Sequence, residues 1–202
     1  MEYVKNSEKE IVETILNVFW TQGYKGTTMQ DLSSATGLPS HALRERFGDK
    51  QAIFFMAFRY CCETYYGQHL RDSLLTSARQ RGSLAAVEML FESVPERIEK
   101  QKDLRGCLLI NALTETNLNL ECTRLANHHF SLVKETLKDI FMSQTGEMSP
   151  SQKDALALAN SVLATYIGLY TYIKAGYSLN VIRNLYRVSL KTLESYIKVK
   201  YR

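Results

Sequence analysis

Four groupings in this chain have residue types that could do chemistry: adjacent His128 and His129, vicinal Cys61 and Cys62, Cys107 beside Arg105 and Gly106, and a dense run of hydroxyl, imidazole and basic side chains between Gly23 and Lys50. Spacing disqualifies the first two. Neighbours on a helix project about 100° apart, so neither pair faces one metal ion comfortably or closes an easy disulfide. The chain contains no His-Glu-x-x-His motif, no Gly-rich phosphate loop and no Gly-x-Ser-x-Gly elbow, and its carboxylates are scattered. Catalysis therefore lacks support, and no catalytic residue, metal or cofactor is expected. Cys107 could act alone if Arg105 or a helix N-terminus behind Gly106 lowered its thiol pKa, which would make it a target for oxidants or electrophiles. The competing reading is a small buried core residue.

The run from Gly23 to Lys50 is richer. Thr28 can accept a hydrogen bond from the backbone near Asp31, whose carboxylate can reach back to form a capping box, so a short helix is predicted from Met29 to Ala35. Gly37 supplies a left-handed stop and Pro39 suits the first turn of a new helix, predicted over Pro39 to Arg46. Met29, Leu32, Ala35, Leu38, Leu43 and Phe47 form the apolar side, leaving Ser40, His41, Arg44, Glu45 and Arg46 outside. Two helices joined by a tight Gly turn make a helix-turn-helix, the unit that inserts its second helix into a DNA major groove. An amphipathic helix from Ser7 to Thr21 precedes it, opened by a Ser7–Glu10 capping box, carrying Ile11, Ile15, Val18 and Phe19, and ended by Gly23.

This ordered series resembles the TetR family of bacterial regulators (TetR/AcrR-like). From Ile11 to Lys50 the chain follows their pattern of an apolar helix, Phe-x-x-x-Gly-Tyr (Phe19 to Tyr24), a Thr pair, the Ile-Ala-x-x-Ala-Gly-Val segment (here Leu32 to Leu38, with Gly37 kept), and a recognition helix ending in Phe-x-x-Lys (Phe47 to Lys50). The resemblance implies an all-α fold, with an N-terminal three-helix helix-turn-helix DNA-binding domain over residues 1–50 and a larger effector-binding and dimerisation domain over 51–202. It implies DNA contacts from Thr27, Thr28, Ser40, His41, Arg44, Arg46 and Lys50, the last matching the family's phosphate-contacting Lys. Ser40, His41 and Arg44 stand where the family usually has Lys, Gly and Tyr. Arg can replace the phosphate contact of Tyr with charge added, so docking is kept while base preference differs.

Charge and composition bound the remainder. Residues 1–60 carry seven Lys/Arg against seven Asp/Glu, while the net +4 gathers near the far end, at Arg183, Arg187, Lys191, Lys198, Lys200 and Arg202. A neutral head neutralises few phosphates, so useful affinity needs two protomers on a palindromic double-stranded operator with half-sites about 34–36 Å apart. Three Pro, ten Gly and no strand-like alternation favour helices throughout. Unpaired cysteines and the lack of an apolar N-terminal core fit a cytoplasmic protein. Beyond Lys50, helices are expected over Lys50–Leu75, Leu84–Glu99 (kinked or shortened by Pro95), Leu104–Thr116, Glu121–Ser143, Ser151–Ala175 and Leu179–Val199, with Ser149 and Pro150 as cap and first turn of the fifth.

The uncharged stretch from Ala155 to Ile173 is long enough to cross a membrane, but Asn160, Ser161, Thr165 and Thr171 and the absence of a flanking basic cluster argue against it, and no membrane partner is expected. Its small residues suit a helix buried by its own subunit and a twin. With the stripe at Ile182, Leu185, Leu193, Tyr196 and Ile197, it would form a four-helix homodimer interface, as the resemblance also implies. Aromatic and polarizable groups in the middle helices, with a few hydroxyls, suit a small, mostly hydrophobic effector. Tyr65, Met89, Cys107, Asn111, Phe130, Tyr166 and Tyr170 are the expected ligand residues. The function that follows is a ligand-responsive transcriptional repressor. Alternatives are a thiol-based electrophile or redox sensor using Cys107, because Gly106-Cys107-Leu108 resembles a segment found in a subset of these regulators, and a helical ligand-binding protein without DNA activity.

Overall fold

The computed structural model describes residues 7–65, 68–101, 105–114, 120–143 and 150–201. Ten helices and no strand occur among them: α1 (Glu8–Gly26), α2 (Met29–Thr36), α3 (Ser40–Phe47), α4 (Lys50–Tyr65), α5 (Gln68–Arg81), α6 (Ser83–Gln101), α7 (Leu108–Thr114), α8 (Leu120–Met142), α9 (Gln152–Lys174) and α10 (Leu179–Lys200). The fold is all-α. Its compact units do not follow chain order: residues 1–66 and 107–127 form one, and 67–106 and 128–202 the other.

In the first unit α4 and α7 pack on α1. Ile11, Ile15, Leu16 and Phe19 of α1 are buried at helical spacing, and Ile53, Phe54, Ala57, Phe58 and Cys61 of α4 meet them. Phe19 sits edge-on to Phe54 at 5.0 Å between ring centres, Phe54 lies 5.8 Å from Phe58, and Tyr24 closes on Phe54 at 5.1 Å. Both expected capping boxes form. Ser7 exchanges hydrogen bonds with Glu10, and Thr28 exchanges them with Asp31. The Thr28 hydroxyl and N–H hold the Asp31 carboxyl below its ordinary range, so the cap's contribution is full above that range and is lost as pH falls below it, through the lowered value. The backbone leaves helical geometry at Gly23 (φ 74°, ψ 170°), where the stop was expected, and one further turn carries α1 to Gly26.

The second unit is built on α6, α9 and α10 with α5 laid against α6. Leu90, Phe91, Val94 and Ile98 of α6 pack in a core with Leu158, Val162, Leu169 and Ile173 of α9 and Ile182, Tyr186 and Leu193 of α10. Arg183 of α10 bridges Glu99 at 2.7 Å and Glu92 at 3.6 Å, and the Tyr186 hydroxyl donates to Glu92. α6 does not stop at Pro95. Pro95 is buried among core neighbours, and their packing outweighs the lost backbone bond.

Some expected boundaries move. The helix expected over Lys50–Leu75 is described on either side of Tyr66 and Gly67, which lie outside the described residues, as α4 and α5, and α5 runs past Leu75 to Arg81. α7 starts only at Leu108 because the backbone at Gly106 has φ 76°, a conformation that excludes it from a helix; Leu104 and residues 115–116 lie outside the described residues. The cap of α9 is Ser151, whose hydroxyl accepts from the Asp154 N–H at 3.2 Å, and not Ser149, which lies outside the described residues.

Gly48, between α3 and α4, has φ 90° and ψ −157°, a region open essentially to Gly alone, and a Cβ there would meet the Cβ of Ala52 at 2.9 Å. Gly48→Ala is expected to cost about 1–3 kcal/mol, read as a lower urea midpoint with unchanged slope. Gly37→Asn should cost less, because Gly37 sits at φ 71°, ψ 4°, which Asn tolerates.

Candidate nucleic-acid interface

α2 and α3 meet at a turn set by three contacts. Gly37 takes the left-handed cap and donates its N–H to the Ser33 carbonyl at 3.0 Å, Leu38 N–H reaches the Thr36 hydroxyl at 3.3 Å, and the Ser40 hydroxyl donates to the Met29 carbonyl at 3.3 Å. The last of these pins the start of α3 to the start of α2. Leu43, fully buried, anchors α3 in the unit's core. With Leu43 inward, helical spacing turns His41, Arg44, Glu45 and Arg46 outward, and all four are exposed. A short exposed helix held by one apolar anchor and a fixed turn is suited to a major groove about 12 Å wide.

The expected contact residues fall into two groups. His41 and Arg44 face solvent, Ser40 is half-buried at the first turn of α3, and Thr28 is exposed as the cap of α2. Among the described residues Arg44 has no ion-pair partner, so its guanidinium is available to an anion; Arg46 stacks over the Phe47 ring at 5.0 Å and lies 3.5 Å from Glu8. Such an exposed pair contributes little and yields readily to phosphate. Thr27 is fully buried and its hydroxyl donates to the Gly23 carbonyl at 2.7 Å, so this side chain is turned into the protein. Lys50 donates to the carbonyls of Thr27 at 2.9 Å and Tyr24 at 3.1 Å, with its ammonium 4.4 Å from the centre of the Tyr24 ring. Sequence reasoning treated Tyr24 only as part of a motif. Its separation from Lys50 in the chain hid the pairing, although a Lys opening a helix, against the helix dipole, was an available signal.

The expected effector residues are dispersed. Cys107 and Asn111 are buried in the first unit; Met89 and Phe130, both half-buried, and buried Tyr166 and Tyr170 belong to the second. Tyr65 closes α4, and its side chain lies outside the described part of the structure. The Tyr166 and Tyr170 rings stand edge to face at 5.2 Å with hydroxyls 3.4 Å apart, and Arg97 covers Tyr170 at 5.5 Å. Met89 lines a polar groove of about 430 Å³ with His69, Asp72, Thr76 and Ser77. A second, apolar groove of about 360 Å³ is lined by Ala157, Leu158, Ser161 and Thr165 of α9, Val188, Thr192, Leu193 and Tyr196 of α10, and Phe91. Of the expected effector residues only Met89 lines either groove.

All four cysteines are buried and unbridged. Burial pushes the Cys62 thiol up to about 12, and burial with nearby Glu121 pushes Cys122 up to about 11, so both stay protonated and poorly nucleophilic at neutral pH. No cluster of metal-binding side chains occurs among the described residues.

Residues 11–57 match the profile of the bacterial regulatory proteins of the tetR family. An uncharacterized HTH-type transcriptional regulator of Bacillus subtilis, YezE, is 22% identical over 192 residues, covering 91% of this chain and 94% of that one. Among solved structures, the regulator CifR, as a cysteine mutant complexed with 26-bp double-strand operator DNA, superposes with TM-score 0.73 at 19% identity, over 96% of this chain and 98% of that one. NemR of E. coli in its reduced form superposes with TM-score 0.69 at 16% identity, over 92% of this chain and 97% of that one.

Proposed function

We propose that the chain is a transcriptional regulator of the TetR family, which its helix-turn-helix match and its relatives support, and that it acts as a homodimeric repressor that holds a palindromic double-stranded operator until a small, mostly hydrophobic effector releases it. The observation that carries this reading is α3, a short helix with one buried anchor and His41, Arg44 and Arg46 turned to solvent. Ser40, His41 and Arg44 are the proposed groove contacts, and Thr28 the proposed backbone contact at the start of α2. CifR bound to operator DNA supports this use of the fold. Action on operator DNA puts the proposed workplace in the cytoplasm.

The dimer is proposed to form through α9 and α10. α10 is apolar on two faces: Ile182, Tyr186 and Leu193 are buried in its own unit, while Val181, Val188, Tyr196 and Val199, about 100° around the helix, are exposed. α9 adds a stripe of small residues, Ala157, Ser161, Ala164 and Gly168, that permits close helix approach. α9 is the helix among the described residues long and apolar enough to cross a membrane. Burial of one face in its own unit and of the small stripe against a twin accounts for that composition.

The effector is proposed to enter the second unit near Tyr166 and Tyr170, whose hydroxyls offer the few polar contacts a hydrophobic ligand requires. Release then demands only that the effector bind a state with mismatched heads more tightly, by about 1–3 kcal/mol. The thiol-sensor alternative has less support, because Cys107 is 2% exposed and two other thiols of its unit are held protonated.

The test is Arg44→Ala against double-stranded fragments from the gene's own upstream region. Affinity should fall about tenfold or more, and the slope of log affinity against log salt should shrink by about one per protomer. Wild-type protein that ignores every such fragment would favour the ligand-binding protein without DNA activity.

A further inference from the structure

Lys50 opens α4, where the helix dipole disfavours a cation. Asp49 already caps that end, its carboxylate accepting from the Ala52 N–H at 2.8 Å, so something away from α4 must account for the ammonium. Its surroundings do. The Nζ donates to the Tyr24 and Thr27 carbonyls and rests against the Tyr24 ring. These carbonyls lie at and beyond the last turn of α1, where backbone acceptors run short of partners and partial negative charge accumulates. The Tyr24 phenol is uncharged at neutral pH, and its ring face attracts the cation.

The held peptide leads directly to the reading head. Thr27 precedes Thr28, the cap of α2, and the Met29 carbonyl at the start of α2 accepts from Ser40 at the start of α3. A short relay of hydrogen bonds thus joins the first turn of α4 to the first turn of the exposed helix. Resting on the DNA-binding reading above, we propose that Lys50 is a positioning residue for operator binding: it clamps the α1–α2 connection to α4 and fixes the presentation of α3, with two of its three protons committed inside the protein and not to phosphate.

The experiment compares wild type, Lys50→Met, which keeps the stem and removes the ammonium, and Lys50→Arg, which keeps the charge but spreads it over a planar fork. The DNA probe is whatever duplex the wild-type protein selects from a random pool, and binding is measured at a temperature where circular dichroism shows all three proteins folded. Both variants should lose about tenfold or more in affinity while keeping the wild-type salt slope, and amide exchange at Asp31 and Leu32 should quicken in both. A phosphate ligand would behave otherwise: Arg would rescue, and Met would lower the slope by about two per dimer, since each neutralised phosphate contributes about 0.9. That pattern overturns the proposal, as does unchanged affinity with a lowered melting temperature, which would make the clamp merely structural. Should the wild type select no DNA, the regulator reading fails by itself, and the exchange arm still decides: quickened exchange at Asp31 and Leu32 supports the clamp, unchanged exchange refutes it.

Discussion

Val188→Asp combined with Tyr196→Asp is expected to leave a folded monomer whose operator affinity is lower by about two to four orders of magnitude. In the single protomer these side chains are 64% and 46% exposed, so neither carries much of the fold, and surface changes of this kind stay within about 0.5 kcal/mol. Across a two-fold axis they would face their own copies, and the double variant would set four carboxylates into an apolar, desolvated seam beside Val181 and Val199. Binding two half-sites through one linked pair of heads gains about 10²–10⁴ over a single head by effective concentration alone, and the near-neutral head offers little to replace it. Analytical ultracentrifugation and a gel shift read both halves. A variant that stays dimeric sinks the α9–α10 assignment; a monomer that binds as tightly as wild type sinks the need for two half-sites.

How much of this was legible in the sequence depended on whether the determining contacts were local. The capping boxes at Ser7 and Thr28 and the Gly37 stop are set by residues within three or four positions, and each forms where expected. The outward set on α3 followed from helical spacing once Leu43 was placed inward. Contacts spanning tens of residues did not show. The Lys50 bonds to Tyr24 and Thr27 join positions 26 and 23 residues apart, and they convert a residue read as a phosphate ligand into one whose ammonium is engaged internally. Thr27 illustrates a subtler limit: two adjacent threonines look interchangeable, yet the connection turns one hydroxyl to Gly23 and the other to Asp31. In α10, periodicity picked out one apolar stripe, whereas the structure separates a buried stripe from an exposed one that mixes Val with polar neighbours. The effector residues were the least legible, since a ring that fills a core and one that lines a pocket have the same pattern in sequence.

Phe19→Ala is expected to have the largest effect on stability. The ring is fully buried, meets Phe54 edge-on at 5.0 Å and stacks toward Tyr24 at 6.3 Å, so truncation removes contacts to both the α4 core and the residue whose ring holds Lys50. Phe-to-Ala changes at such sites cost about 3–5 kcal/mol, a large part of the 5–15 kcal/mol that holds a domain together. For a unit of this size each kcal/mol lowers the melting temperature by about 4–8 °C, so a drop of at least about 12 °C should be measured by circular dichroism. Phe19→Leu keeps most of the volume and should lose about 1.5 kcal/mol or less. Because Phe19 touches no solvent, its loss acts on DNA binding only through the folded fraction and through the seat of Tyr24. At 37 °C the Ala variant should fail to shift operator DNA, and cooling to 10 °C should restore binding to within the roughly tenfold deficit that a loosened Tyr24–Lys50 clamp imposes. An unchanged melting temperature would mean that the Phe19–Phe54 contact does not organise this unit, and the core around which α1, α4 and the reading head are arranged would have to be sought elsewhere.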